Sequence, residues 1–257
     1  MSDLVPSWRA WRVWQRNATT YRRVWAGNLL GHLADPLFYV AVVGFGVGSY
    51  MPPIDGVPYI SFVVIGVVAG AAMSAACFET SYGSFLRMRV QGTFDAILAT
   101  PLSVSDLAAG EVLWAATKGI ISAMATMVIG VAFRLLEPGV WLVAALAVVF
   151  LQGLFFGGIA LSVATRVRAL DVLNHFYALF IMPVFFLSGV FFPLDRMPAS
   201  LRAVAQLSPL THAVHLIRPL SVGAVPTGWA LEILWLVVAA ALGMALGVVN
   251  LRRRILM

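Results

Sequence analysis

The chain has 257 residues, of which 61% are hydrophobic and only 11% charged. Soluble domains carry about 25% charged residues, so a water-soluble fold is excluded and lipid must cover part of the surface. The formal charge of +6 marks the rims of membrane helices rather than a nucleic-acid site. The single cysteine, Cys77, excludes an intramolecular disulfide and a cysteine metal cage and reads as a small packing residue.

Residues 6–27 predict an interfacial helix. Wound as a helix, Arg9, Arg12, Arg16 and Arg23 fall on one side, and Trp11, Trp14, Tyr21 and Trp25 fall nearly opposite. Such a helix lies flat, with its rings in the headgroup zone. Pro6 suits its first turn. The plainer reading is a basic juxtamembrane flank. No short apolar stretch with a small-residue cleavage site follows these arginines, so no cleavable signal is expected.

Six stretches reach the roughly 20 residues a crossing needs: 28–50, 59–82, 107–133, 140–164, 172–192 and 228–250. Backbone groups in lipid must be satisfied internally, so these are helices. The expectation is an all-α membrane protein, with residues 1–257 forming a single transmembrane domain of six helices. Thirteen of the 17 Lys and Arg fall in segments on one side of this arrangement. Only Arg134, Arg196, Arg202 and Arg218 fall on the other. That bias puts both termini in the cytoplasm.

The cytoplasmic connection from Gly83 to Asp106 contains a short predicted helix over 93–100. Thr93 caps it and Pro101 stops it. Phe94, Ile97 and Leu98 share one face, either as a docking surface or packed back on the bundle. On the outside, 193–227 predicts a helical hairpin. Pro198 opens a first helix carrying Leu201, Val204 and Leu207, and Ser208-Pro209 breaks it. A second helix spans 210–220 and ends at Arg218-Pro219. The pair reads as a re-entrant or surface-lying element, either a gate or a solvated cap.

Asp35, Glu79, Glu111, Lys118 and Glu232 lie within spans but near their rims, where snorkelling or paired interfacial charges account for them. His212 and His215 lack a third metal ligand. His175 and Ser188 sit about 20 Å apart along one helix, too far for a nucleophile–base pair. The G-x-x-x-G pairs at 27/31, 44/48, 66/70, 153/157 and 243/247 permit close helix packing.

No G-x-x-x-x-G-K-[ST] loop occurs, and no midplane carboxylate chain is present to couple protons. Uphill transport would therefore need an outside engine. Several motifs carry a resemblance: Phe78-Glu79-Thr80-Ser81-Tyr82-Gly83-Ser84-Phe85, Thr93-Phe94-Asp95-Ala96-Ile97-Leu98-Ala99-Thr100-Pro101-Leu102-Ser103, Gly110-Glu111-Val112-Leu113-Trp114, Phe186-Leu187-Ser188-Gly189-Val190-Phe191-Phe192-Pro193 and Leu207-Ser208-Pro209-Leu210-Thr211-His212. Across nearly its whole length the chain resembles ABC-2 type permeases, and within them the NodJ family.

The resemblance implies a permease that forms a homodimer in the bacterial inner membrane and pairs with two ATP-binding subunits of the NodI kind. This chain would bind no cofactor, and ATP and Mg would sit on the partner. Residues 93–99 would be the coupling helix, with Thr93, Phe94, Asp95, Ile97 and Leu98 meeting the ATPase. Nodulation members export lipo-chitooligosaccharides, and related permeases export polysaccharides, other glycolipids or hydrophobic drugs. Phe176, Tyr177, Phe180, Phe185 and Phe186 would suit acyl chains or sugar faces along a path, and suit plain lipid equally. A drug-efflux permease is the alternative. A lipid-modifying enzyme is less favoured, because no workable catalytic pair is found.

Overall fold

The computed structural model describes residues 5–54 and 56–256, except the surroundings of Leu29, Leu30, His32, Asp35, Gly44 and Phe45. Asp35 and Gly44, singled out in the sequence, therefore lie outside the residues whose surroundings are described. The helices are α1 Ala10–Tyr39, α2 Tyr59–Phe78, α3 Ser84–Arg89, α4 Thr93–Leu98, α5 Val104–Ala132, α6 Trp141–Arg166, α7 Leu170–Phe176, α8 Met182–Leu187, α9 Ala199–Ala205, α10 Pro209–Ser221 and α11 Trp229–Leu256. Wide π-helical turns extend α1 over Val40–Val47, join α2 to α3 over Glu79–Gly83, and join α7 to α8 over Tyr177–Ile181.

Among the described residues, five helices are long and apolar enough to cross a membrane: Tyr59–Arg89, Val104–Ala132, Trp141–Arg166, Leu170–Leu187 and Trp229–Leu256. They match the second to sixth predicted spans. The stretch 28–50 is helical as far as Val47. It holds the residues whose surroundings are not described, and the five do not count it.

Several boundaries differ from expectation. The interfacial segment does not end at residue 27. It continues into the first predicted span as one helix, bent at Val24 (φ −125°, ψ 16°). Pro6 lies ahead of this helix, in a lead-in where Ala10 and Trp11 N–H groups donate to the Ser7 and Trp8 carbonyls. Proline is tolerated there because no ladder bond needs its missing N–H. The second span runs past Tyr82 to Arg89, since Leu86, Arg87 and Met88 are good helix formers with no breaker among them. The fifth span stops at Leu187 rather than Phe192, because Gly189 turns into the left-handed region at φ +77°. The second hairpin helix carries Pro219 inside it and ends at Ser221. In a last turn the missing N–H costs only one bond.

Small residues set the helix spacing. A Cβ added at Gly158 would sit 2.0 Å from the Gly243 carbonyl oxygen, so α6 and α11 touch backbone to backbone. Gly66 and Gly70 receive Val190 and Phe185, and Gly153 and Gly157 lie against Ala116 and Ala115. Among the described residues, a Cβ added at Gly27 or Gly31 would meet nothing within 4 Å, so that pair is not a close helix contact there. Polar groups cross-link the same helices: Gln152 Nε2 donates to the Ala69 carbonyl (2.6 Å), and Thr80 Oγ1 donates to that of Gly157 (2.8 Å). Cys77 is buried within the core.

Candidate functional site

The connector after α3 runs over residues 90–92 and ends with Gly92 in the left-handed region (φ 61°). This turn, not Thr93, precedes α4, and Thr93 is the first helical residue. The helix ends at Leu98, two residues before the predicted stop. Ser103 and Asp106 then form a reciprocal capping box that starts α5.

The sequence left two readings for the Phe94–Ile97–Leu98 stripe, and the structure has it packing on the bundle. Phe94 is only 1% exposed and lies among Val13, Leu107, Val112, Leu161 and Leu251. Ile97 and Leu98 are half-buried against the same cluster. Leaving this phenyl in water would forgo about 1.5–3 kcal/mol. Four helices offer it a seat, so it is not a water-facing contact. The outward residues of α4 are Asp95 and Ala96, followed by Ala99 beyond its end, and Thr93 is intermediate.

Beside α4 lies a polar cluster that the sequence did not reveal. Glu111 of α5 is fully buried. Its carboxylate accepts from Asn17 Nδ2 (2.8 Å), Ser84 Oγ (2.6 Å) and Arg87 Nη2 (2.6 Å). Arg87 also pairs with Glu79 at 2.8 Å. One carboxylate thus joins α1, α3 and α5, and one guanidinium adds the end of the α2 span. Glu111 is not a snorkelling rim charge but a paired one. Burial draws the neighbouring Arg16 guanidinium below its ordinary value, while Glu111 pulls the other way. Lys118 does not meet Glu111; its ammonium lies 4.2 Å from the centre of the Tyr21 ring.

The first helix is fastened to the same end of the bundle. Ser7 N–H donates to Asp106 (2.6 Å), and Arg9 donates to the Pro101 carbonyl (2.7 Å). Val13 and Ala10 close over Gly110, where an added Cβ would meet Val13 at 2.4 Å. Trp14 donates to Thr117 (2.9 Å) and packs edge-on to Trp114. Trp8, Trp11 and Trp25 stay exposed. The helix thus rests on α5 by one face and keeps part of its aromatic face outward.

The predicted path residues split into two groups. Phe176 stacks on Phe180, and Tyr177 meets Phe78 and Tyr82. Phe185 and Phe186 instead join Phe191, and Phe185 also meets Tyr39. Phe185 fills the notch at Gly70 and is buried, whereas Phe180 and Phe186 face outward.

On the other side of the bundle, α10 buries Leu210, Val214 and Ile217 in the main core, while Leu201, Val204 and Leu207 of the preceding segment are exposed. Gly189 of the F-L-S-G-x-F-F-P stretch supplies the positive-φ turn, and Ser188 donates to the Val184 carbonyl. His212 pairs with Glu232, and His215 lies 3.5 Å from the same carboxylate. Glu232 is thus also paired.

Comparison with known proteins bears on these arrangements. Residues 9–222 match the family model described as ABC-2 type transporter. The chain is 38% identical to Nodulation protein J of Rhizobium meliloti, covering 97% of this chain and 95% of that protein. It is 36% identical to Nodulation protein J of Bradyrhizobium diazoefficiens, over 97% and 94% of the two chains. A more distant relative is the inner membrane transport permease YadH of Escherichia coli, at 21% over 79% and 78%.

Proposed function

The chain belongs to the ABC-2 type transporter family, and from that premise we propose that it is the permease half of an ATP-driven exporter of amphipathic, lipid-linked saccharides. The likeness to nodulation J proteins over almost the full length carries this reading. Six crossings with both termini in the cytoplasm of a bacterial inner membrane complete it, with two permease copies and two ATP-binding subunits per complex.

In this reading α4 meets the ATPase through Asp95, Ala96 and Ala99, with Thr93 at the edge. Phe94, Ile97 and Leu98 hold the helix to the bundle and transmit its motion. Closure of the ATPases pushes on α4, and the buried phenyl passes the load to α1, α5, α6 and α11. Gly92 lets α4 swing against α3. The Glu111–Arg87 pair keeps α3, α1 and α5 moving together. The rings at Phe176, Tyr177, Phe180 and Phe186 offer faces for a sugar or acyl chain.

Co-purification with an ATP-binding subunit tests the complex. Vesicle export tests the cargo: ATP-dependent movement of a lipo-oligosaccharide and not of a cationic drug supports the reading. The reverse result replaces it with a drug-efflux permease, and turnover of lipid without ATP or a partner replaces it with an enzyme.

A further inference from the structure

A cleft of about 440 Å³ opens between the C-terminal ends of α6 and α11 and is lined by Arg89, Arg166, Arg168, Arg253, Arg254 and the buried Asn250. No carboxylate lines it among the described residues. Arg166 donates to Asn250 Oδ1 (2.7 Å), and Arg89 contacts the Val167 carbonyl at 3.4 Å. These bonds aim two guanidiniums at the cleft without neutralising them.

Helix C-termini attract basic residues, and that accounts for part of the pattern. Each terminus contributes only about −0.5 of a charge. Two termini against five guanidiniums leave roughly four positive charges unmatched. At about 30 Å³ per water, the cleft holds roughly fifteen waters, room enough for a phosphate and a small alcohol. It sits where two apolar membrane-length helices end, which is headgroup depth. Exposed Leu170, Val172, Leu246 and Leu256 on the helices beside it continue the surface in apolar form.

We propose that this cleft binds the phosphodiester headgroup of an anionic phospholipid, with guanidiniums on the phosphate oxygens and acyl chains along the flanking helices. Bidentate guanidinium–phosphate pairing is the chemistry that recognises it. The site is separate from α4 and does not depend on the transport reading.

The test uses the full chain purified in neutral detergent and titrated with phosphatidylglycerol or phosphatidylcholine, with bound lipid counted by native mass spectrometry. The wild type should retain phosphatidylglycerol over phosphatidylcholine. At about fivefold per neutralised arginine near an anionic surface, Arg253→Gln with Arg254→Gln should cut that preference roughly 25-fold. Lysine at both positions should keep most of it, and Arg12→Gln with Arg23→Gln on α1 should leave it intact. Gel-filtration profiles matching the parent show that each variant is folded.

Equal retention of both lipids by the wild type overturns the proposal, as does equal loss in the α1 variant. Displacement of phosphatidylglycerol by millimolar inorganic phosphate would make the cleft a small-anion site instead. Loss of a co-purifying ATP-binding subunit, with lipid preference unchanged, would assign the arginines to a protein partner.

Discussion

Replacing Glu111 by glutamine preserves shape and removes one charge. Arg87 then retains only Glu79 as a carboxylate partner among the described residues. The new amide also brings a donor where Asn17, Ser84 and Arg87 already donate, so Asn17 or Ser84 must turn to accept it, and an Asn17 flip gives up its bond from Arg16. Breaking one side of a buried ion pair costs about 3–5 kcal/mol. Arg87 and Glu79 side chains are 15% and 14% exposed, so some solvent reaches the stranded charge and the low end is expected. For a chain of this size, at about 2–4 °C per kcal/mol, the thermal midpoint should fall by roughly 6–12 °C. Gel filtration of the detergent-solubilised protein after heating reads that midpoint. Adding Arg87→Met removes the stranded cation, so the double variant should lose less than the two single losses combined, by at least about 1 kcal/mol. A single-variant midpoint within about 2 °C of the parent, or strict additivity, would refute the cluster as the fastening of this end.

Phe94→Ala empties a seat in the cluster beneath α4 and should cost about 3–5 kcal/mol. Asp95→Arg, on the outward side, should leave the midpoint unchanged while weakening retention of the ATP-binding subunit. Equal midpoints for the two variants would deny Phe94 its anchoring role. Gly158→Ala drives a methyl toward the Gly243 carbonyl and should cost about 1–3 kcal/mol. Gly31→Ala meets nothing within 4 Å and should move stability by no more than about 1 kcal/mol; similar thermal losses in both would contradict the packing described. In a Cys77→Ala background, single cysteines from Val5→Cys and Leu256→Cys should label only from the inner face of sealed spheroplasts. Labelling of either from outside would end the topology with both termini inside.

The apolar runs disclosed where helices lie, because about 20 consecutive apolar residues leave a signal within one window. Their ends were less legible. The stop at Leu187 depends on one glycine taking a positive φ, whereas Gly83 keeps a helical conformation and lets the span continue to Arg89. Thr93 and Pro101 marked the neighbourhood of the short helix, but Gly92 caps its start and it ends at Leu98, and periodicity could not say which way its stripe faced. That depended on Val13 and Leu251, which lie far off in the chain. The Glu111 cluster had no local signature at all. Asn17, Ser84, Arg87 and Glu79 are ordinary rim residues one by one and become a unit only when three helices meet. The burial of one ring was hidden for the same reason: Gly70, on another helix, receives Phe185, while Phe180 and Phe186 stay outside.

The Glu111 cluster also fixes an order of assembly. Asn17, Ser84 and Arg87 all precede the carboxylate they share. During synthesis Arg87 has Glu79 alone until α5 leaves the ribosome. Ser7 likewise waits for Asp106, 99 residues downstream. The start of the first helix is thus made early and can be fastened to the bundle by these bonds only once α5 has been made. A nascent chain halted before residue 106 therefore lacks both carboxylates, Asp106 and Glu111, that these earlier segments bond to.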